Sequence, residues 1–321
     1  MGYPVVDLIE RLKHRVGLTV RTGEIDPGRS IESSDVNRPG LALTGFTDYF
    51  RRDRVQILGA TEVRFLGTLA ESERPEALRH VLQFRVPCLI VCKGLPLPHG
   101  LLEIADEFEV PVISASASTI DVIHEVTHVL EDELAPTTTE HGSLVDVYGV
   151  GLLITGRSAI GKSETALDLV ERGHRLVADD VVTIRRKADN VLIGSGNDLL
   201  RHRMEIRGIG IIDIQAIFGI RSIRAQKRIE VEVHLEEWSK DQDYERHGLD
   251  TQRAEILGTE IEKVVVPIFP GKNITVICET IALNYLVKAY GYDPAQHFNE
   301  NLLELMRRKA NLAILARDDL E

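Results

Sequence analysis

The chain has 321 residues, 43% of them apolar and 27% charged, and a formal net charge of −12. That length allows two domains with separate cores, and the composition is that of an ordinary globular chain. No uncharged apolar run reaches about eighteen residues, which excludes a transmembrane helix, and the acidic balance disfavours nucleic acid as a general partner. The opening residues carry Asp7 and Glu10 without a basic leader, so no signal peptide is expected. Cys88, Cys92 and Cys278 sit in apolar runs and read as reduced, buried thiols, the pattern of a cytoplasmic chain without disulfides or a zinc site.

Residues 1–134 alternate short strands and helices. Helices are expected over 5–12, 72–84, 101–108 and 119–134, the last with Ile120, Ile123, Val126, Thr127 and Leu130 turned inward. Strands are expected over 17–20, 55–58, 88–92 and 110–114. This alternation predicts an α/β layer with a partly parallel sheet. His124 and His128 have the i, i+4 spacing of a metal pair. No glutamate of the metalloprotease pattern accompanies them, so they read as surface or packing residues. The polar, aperiodic stretch 135–142 reads as the linker, dividing the chain into domains 1–134 and 135–321. It delivers His141 just ahead of the next strand, and on chemistry alone one histidine there says little.

Residues 147–155 read as a buried strand. It leads into Gly156-Arg157-Ser158-Ala159-Ile160-Gly161-Lys162-Ser163, which has the G-x-x-x-x-G-K-S spacing of a phosphate-binding P-loop. A helix follows with Ala166, Leu167, Leu169 and Val170 on one face, and Gly173 stands where its C-terminus needs a positive φ. Small residues let backbone N–H groups turn inward, and the helix N-terminus adds partial positive charge. In such a loop Lys162 reaches the β- and γ-phosphates and the Ser163 hydroxyl ligates Mg²⁺.

Next, a short apolar strand meets Asp179 and Asp180 and becomes strand again. An acid at a strand end beside a P-loop can hold Mg²⁺ or take a proton from an attacking hydroxyl. Neighbouring strand residues face opposite ways, so the two acids are expected not to share one job, one facing the phosphates and the other away. The stretch 185–228 is locally basic and suits phosphate or an acidic partner as well as a solvated face. Within 203–213, Glu205 could complete a metal shell, and Gly208 and Gly210 permit close backbone approach. Residues 231–235 alternate as a half-exposed strand, and a polar loop over 238–249 holds Arg246. A proline-bounded loop between strands is expected over 264–273, then a helix over 280–290 stopped by Gly291, then a largely helical tail over 295–316.

Taken together these pieces resemble the HPr kinase/phosphorylase family, bacterial enzymes that phosphorylate a seryl residue of the phosphocarrier protein HPr. The resemblance rests on Glu140-His141-Gly142, on 156–163, on Val177-Ala178-Asp179-Asp180, on 204–213, on Arg246 and on 267–273. It implies an N-terminal α/β domain and a C-terminal P-loop kinase domain similar to phosphoenolpyruvate carboxykinase. It also implies a homohexamer that uses ATP or pyrophosphate with Mg²⁺. Asp180 becomes the general base that takes the seryl proton and, in reverse, the acid that returns it. His141, Lys162 and Arg246 become the other catalytic positions, and Ser163 and Glu205 the Mg²⁺ ligands. The segment 204–213 serves both directions and 267–272 mainly dephosphorylation, in which phosphate attacks phosphoserine and pyrophosphate leaves.

One departure stands out. The family's late loop usually reads Pro-Val-Arg-Pro-Gly-Arg, whereas this chain has Pro267-Ile268-Phe269-Pro270-Gly271-Lys272. A phenyl ring cannot donate to an oxyanion, so phosphorolysis is expected to be weaker than kinase activity. Two other readings fit the P-loop alone: a small-molecule kinase and a non-catalytic nucleotide sensor.

Overall fold

Unbroken apolar runs in the first unit, Met1–Ala135, become strands covered on both faces. The computed structural model describes residues 2–187, 190–197, 202–239 and 252–318, with side chains through Arg307. The first unit runs β1 (Tyr3–Pro4), α1 (Val5–Leu12), β2 (Leu18–Val20), β3 (Ser30–Ile31), β4 (Val36–Asn37), β5 (Val55–Leu58), α2 (Ala60–Thr68), α3 (Arg74–Leu82), β6 (Leu89–Val91), α4 (Leu101–Glu107), β7 (Val112–Ala115) and α5 (Thr119–Glu133). Five strands form one sheet in the order β2-β7-β6-β5-β4, parallel except for β2. Every residue of β5, β6 and β7 is buried, as a sheet with helices on both sides requires. Leu8 and Leu12 of α1 pack with Val126 and Leu130 of α5 on one face, and Leu66, Leu78, Leu82 and Leu101 on the other.

One expectation needs correction here, and one helix, α2, has no counterpart among the expected elements. Ile120 is 79% exposed; the buried stripe of α5 runs through Thr119, Val122, Val126, Val129 and Leu130. Helix α2 carried no strong periodic signal, since Leu66 is its one fully buried apolar residue. It is fixed instead at its start, where Glu62 accepts the Gly59 N–H at 2.9 Å.

The second unit, Pro136–Glu321, runs β8 (Thr137–His141), β9 (Ser143–Val147), β10 (Val150–Gly156), α6 (Lys162–Glu171), β11 (Arg175–Ala178), β12 (Val181–Lys187), β13 (Val191–Gly196), β14 (Arg203–Ile206), β15 (Gly210–Asp213), α7 (Ile214–Phe218), β16 (Gln226–Arg228), β17 (Val231–Glu237), β18 (Gln252–Ile256), β19 (Thr259–Ile268), α8 (Ile274–Ala289) and α9 (Pro294–Asp318). A six-stranded sheet has the order β11-β9-β10-β17-β19-β18, and a four-stranded sheet the order β16-β13-β12-β8. One core lies between the larger sheet and helices α6 and α8, built from Leu152, Ile154, Leu169, Val233 and Cys278. A second, with Leu144, Leu153, Val182, Ile184 and Ile229, fills the space between the sheets.

The polar stretch read as a linker is strand β8, paired antiparallel with β12 so that His141 lies opposite Val181. It is an edge strand with exposed alternate residues, so its sequence carries no apolar face to betray it. The expected strand over 147–155 is a hairpin instead. Tyr148 and Gly149 both have positive φ, the requirement of a two-residue type I′ turn, and Val150 pairs back onto Val147. Residues 264–268 continue β19 in parallel with β17, and the turn after them opens helix α8 at Ile274. All three cysteines are free and buried.

The C-terminal end of α6 is joined to the second turn of α8 by a charged cluster. Arg172 donates twice to Glu279, at 2.8 and 2.7 Å, and His174 Nε2 lies 3.1 Å from the same carboxylate. Arg172 holds Glu279 below the ordinary value of 4.5, against the opposing effect of burial. Such a carboxylate stabilises the fold above its unfolded-state pKa, and the contribution is lost as pH falls through the lower folded value. Because Arg172 is half exposed and screened by water, replacing Glu279 by Gln should cost about 1 kcal/mol at pH 7 in urea unfolding. The gap to the parent chain should close as pH falls below 4.5.

Candidate active site

The larger sheet collects four strand ends on one edge. β10, β17 and β19 are parallel, with Gly156 level with Leu235 and Leu235 level with Val266. β11 runs the same way, since both it and β10 are antiparallel to β9. The P-loop, Asp179-Asp180, the end of β17 and the 269–272 turn therefore all leave from the C-terminal edge, where α/β sheets bind ligands.

Residues 156–163 form a turn between β10 and α6, in the place where the spacing predicts a P-loop, with Gly161 as the N-cap of the helix. Gly156 has φ +136°, and a Cβ there would stand 2.4 Å from the Leu235 carbonyl oxygen, so only glycine fits. Ala159 and Gly161 also take positive φ, turning successive N–H groups to one side. Ile160 is anchored in the core below. Lys162 Nζ donates to the carbonyls of Gly156 and Arg157, both at 3.0 Å, spanning the loop from beneath. Arg157 is tied to Glu237 at the end of β17. Ser158 completes the loop's outer turn.

The two aspartates part company at the junction of the two sheets. Asp179 is buried and its Oδ1 accepts from Ser143 Oγ at 2.5 Å and from Ser163 Oγ at 3.1 Å. Burial raises its pKa above the ordinary aspartate value, opposed by those two hydroxyls. Asp180 is exposed. It sits at the apex of a three-residue turn, with φ +66° and the Val181 N–H bonded to the Asp179 carbonyl at 2.9 Å. This is the rarer, strained hand of the γ-turn. The two side chains do part, Asp179 inward and Asp180 to solvent, but a turn between sheets separates them and not the pleat of one strand.

His141 is brought to the same place by backbone alone. The Gly142 N–H donates to the Asp180 carbonyl at 3.1 Å. Ser143 lies opposite Ile154 on β10, so the preceding residues run beside the start of the P-loop. A Cβ on Gly142 would meet the Ile154 oxygen at 2.5 Å, so β8 and β9 can cross here only through a glycine.

Glu205 lies on β14, whose Met204 and Ile206 pack into the core under α6. Its own side chain is on the opposite, exposed face, and no hydrogen bond joins it to Ser163 among the described residues. Arg246 lies outside the described residues. Among the described residues no group of three or more His, Cys, Asp and Glu could by itself hold a metal. The Ser163–Asp179 pair offers oxygen donors of the kind Mg²⁺ takes, one or two from protein with the rest of the shell from phosphate and water.

In the 267–272 turn, Lys272 Nζ donates to the Pro267 carbonyl at 2.8 Å and lies 5.3 Å from the Phe269 ring centroid. Burial lowers the Lys272 pKa. The Pro267 carbonyl and the Phe269 ring thus hold the Lys272 cation back on its own loop. Asn273 then caps α8 by accepting from the Val276 N–H at 3.1 Å.

Beneath the P-loop lies a network that the sequence did not disclose. Thr155 Oγ1 is 2.7 Å from Glu232 Oε1 and 2.9 Å from His234 Nδ1, and Lys263 is 3.5 Å from Glu232. Glu232, expected on a half-exposed strand, is 8% exposed. Ser143 also gave no signal, since its partner Asp179 is 36 residues away.

Comparison with known proteins settles the family. A model of the HPr serine kinase N terminus matches residues 4–130, and a model of the HPr serine kinase C-terminal domain matches residues 132–302. The chain belongs to the HPr serine kinase family. An HPr kinase/phosphorylase of Chloroherpeton thalassium is 48% identical over 305 residues, covering 94% of this chain and 90% of that one. The HPr kinase/phosphorylase of Bacillus cereus is 44% identical over 297 residues, with 92% and 95% covered. Among solved structures, the HPr(Ser) kinase/phosphatase from Coxiella burnetii is 35% identical and covers 51% of this chain and 99% of that one, at a TM-score of 0.45. The family resemblance drawn from the motifs is thus borne out along nearly the whole chain.

Within this HPr serine kinase site, Asp179 is the residue whose contribution separates charge from shape. Both hydroxyls donate to its Oδ1, an atom that asparagine retains, while the buried charge disappears. The ionised form is disfavoured in the fold, so its penalty is present at neutral pH and vanishes as pH falls. Asp179→Asn should melt at or above the parent temperature by calorimetry. A drop of more than about 3 °C, roughly 1 kcal/mol for a chain of this size, would show that the charge itself holds the site.

Proposed function

We propose that the chain transfers the γ-phosphoryl group of ATP, or a phosphoryl group of pyrophosphate, to a seryl hydroxyl of HPr, and catalyses the phosphorolytic reverse. The observation that carries the reading is the division between the two aspartates. Asp179 is bonded to the P-loop hydroxyl of Ser163 at 3.1 Å, while Asp180 is displayed to solvent beside His141 on the same edge. The donor's phosphates rest against the inward N–H groups of 156–161 and the start of α6, with Lys162 against their outer oxygens. Ser163, with Glu205 brought in from β14 as the second ligand, would hold Mg²⁺, which would neutralise charge on the phosphates when bound.

Asp180 takes the seryl proton as the hydroxyl oxygen bonds to phosphorus and the bridging oxygen leaves with the donor. His141 and Arg246 stabilise charge on the transferring group. In reverse, inorganic phosphate attacks phosphoserine, Asp180 returns its proton to the departing seryl oxygen, and pyrophosphate forms. The kinase domain, 135–321, is of the P-loop type similar to phosphoenolpyruvate carboxykinase, and the protein works as a cytoplasmic homohexamer. Exposed Ile209, Ile211, Ile217 and Ile220 support assembly, being apolar surface that a lone chain leaves wet.

Asp180→Asn should lower labelled-phosphate transfer from ATP to HPr by about 10²–10⁴-fold, with nucleotide binding retained by calorimetry. Undiminished transfer would remove the base assignment. For the reverse reaction, phosphoserine-HPr incubated with phosphate should release pyrophosphate slowly. Phe269→Arg should speed release several-fold, since it restores a bidentate donor and frees Lys272. Fast release by the parent chain would refute the reading of Phe269.

A further inference from the structure

The parallel strands of the first unit also end together. Arg38 follows β4 and Gly59 follows β5 at the C-terminal edge of their sheet. There a hollow of about 510 Å³ is lined by Arg38, Leu41, Phe46, Tyr49, Thr61 and Glu62, among others. Its size falls within the roughly 300–1,000 Å³ of small-molecule sites.

Part of its wall is apolar and uncovered. Leu41 is 71%, Phe46 53% and Tyr49 86% exposed, and none of them belongs to either core of the unit. The segment that carries them is anchored: Ala42 and Leu43 are buried, Gly45 turns with φ +96°, and Phe50 packs against Phe84 at 5.2 Å. An anchored loop that displays rings is a prepared surface, whereas a loose one would fold them away.

The opposite wall is charged. Glu62 is 5% exposed and its Oε2 accepts from Arg38 Nη2 and from the Gly59 N–H, both at 2.9 Å. This contact uses one of five guanidinium N–H donors and holds the Arg38 plane still. The Arg38 side chain stays 45% exposed at the hollow. Thr61, in the first turn of the nine-residue helix α2, lies beside it.

We propose that this hollow binds a small organic anion with a planar ring. Its carboxylate or phosphate meets Arg38 and the first turn of α2, and its ring lies against Phe46 and Tyr49. The site is separate from the phosphotransfer edge and makes the first unit a ligand-binding domain.

The test uses the full chain, with saturating pyrophosphate to fill the P-loop. Phenyl phosphate, benzoate, benzyl alcohol and inorganic phosphate are titrated by saturation-transfer NMR and calorimetry. Saturable binding of phenyl phosphate, benzoate or both is expected, each at least 10-fold tighter than benzyl alcohol or inorganic phosphate. Which of the two binds identifies the acidic group. Tyr49→Ala, at a position exposed enough to leave the fold intact by circular dichroism, should weaken binding about 10-fold. The double variant Arg38→Gln/Glu62→Gln, which removes both charges together, should abolish the preference for anions. No saturable binding by either aromatic anion overturns the proposal, as does binding indifferent to Tyr49→Ala or inorganic phosphate binding as tightly as phenyl phosphate.

Discussion

Asp179 is a carboxylate held out of water, and the two hydroxyls that compensate it come from different parts of the chain. Ser143 begins β9, and Ser163 is the second residue of the P-loop helix. Three elements therefore meet at one oxygen atom. A buried acceptor tolerates little displacement of the groups that donate to it, because each lost hydrogen bond leaves a desolvation penalty uncompensated. The P-loop helix, the strand beside it and the acid at the end of β11 are in this way fixed relative to one another. The exposed Asp180 inherits that placement through one peptide bond and a strained turn.

This arrangement explains why two adjacent, identical side chains serve different ends. The chain passes from the larger sheet to the smaller between Ala178 and Val181, and two residues are all it has for the passage. The first completes the buried edge of one sheet; the second sits at the apex of the turn into the other. Strain at the apex is retained because strands on both sides over-determine it. His141 is recruited by the same passage, since β8 pairs with the strand that begins just after the turn. The glycine at 142 is what lets that pairing pass so close to β10.

Much of this was legible in the sequence wherever a local rule fixes a local shape. The spacing of Gly156, Gly161 and Lys162 demanded a loop between strand and helix, and the apolar runs of β5, β6 and β7 demanded covered strands. What escaped depended on distant partners. β8 has no apolar face because it is an edge strand, so its polarity read as a linker. Tyr148-Gly149 is a weaker turn signal than Asn-Gly, and a hairpin passed for one strand. Glu232 is buried only because Thr155 and Lys263 converge on it from neighbouring strands, and no spacing along β17 foretells that. The motif 204–213 was plain as a motif, yet only the structure shows Met204 and Ile206 locked under α6 while Glu205 faces out.

The Arg172–Glu279–His174 cluster has a mechanical consequence. Helix α6 is about 15 Å long at 1.5 Å per residue. The cluster fastens its far end to α8, whose own first residue follows the 267–272 turn. Thr275 Oγ1 also lies 3.3 Å from Asp168 Oδ2, so the two helices are tied to each other at two levels below the loops they carry. The stiffness of these contacts sets how finely the 156–163 loop and the 269–272 turn are registered against each other.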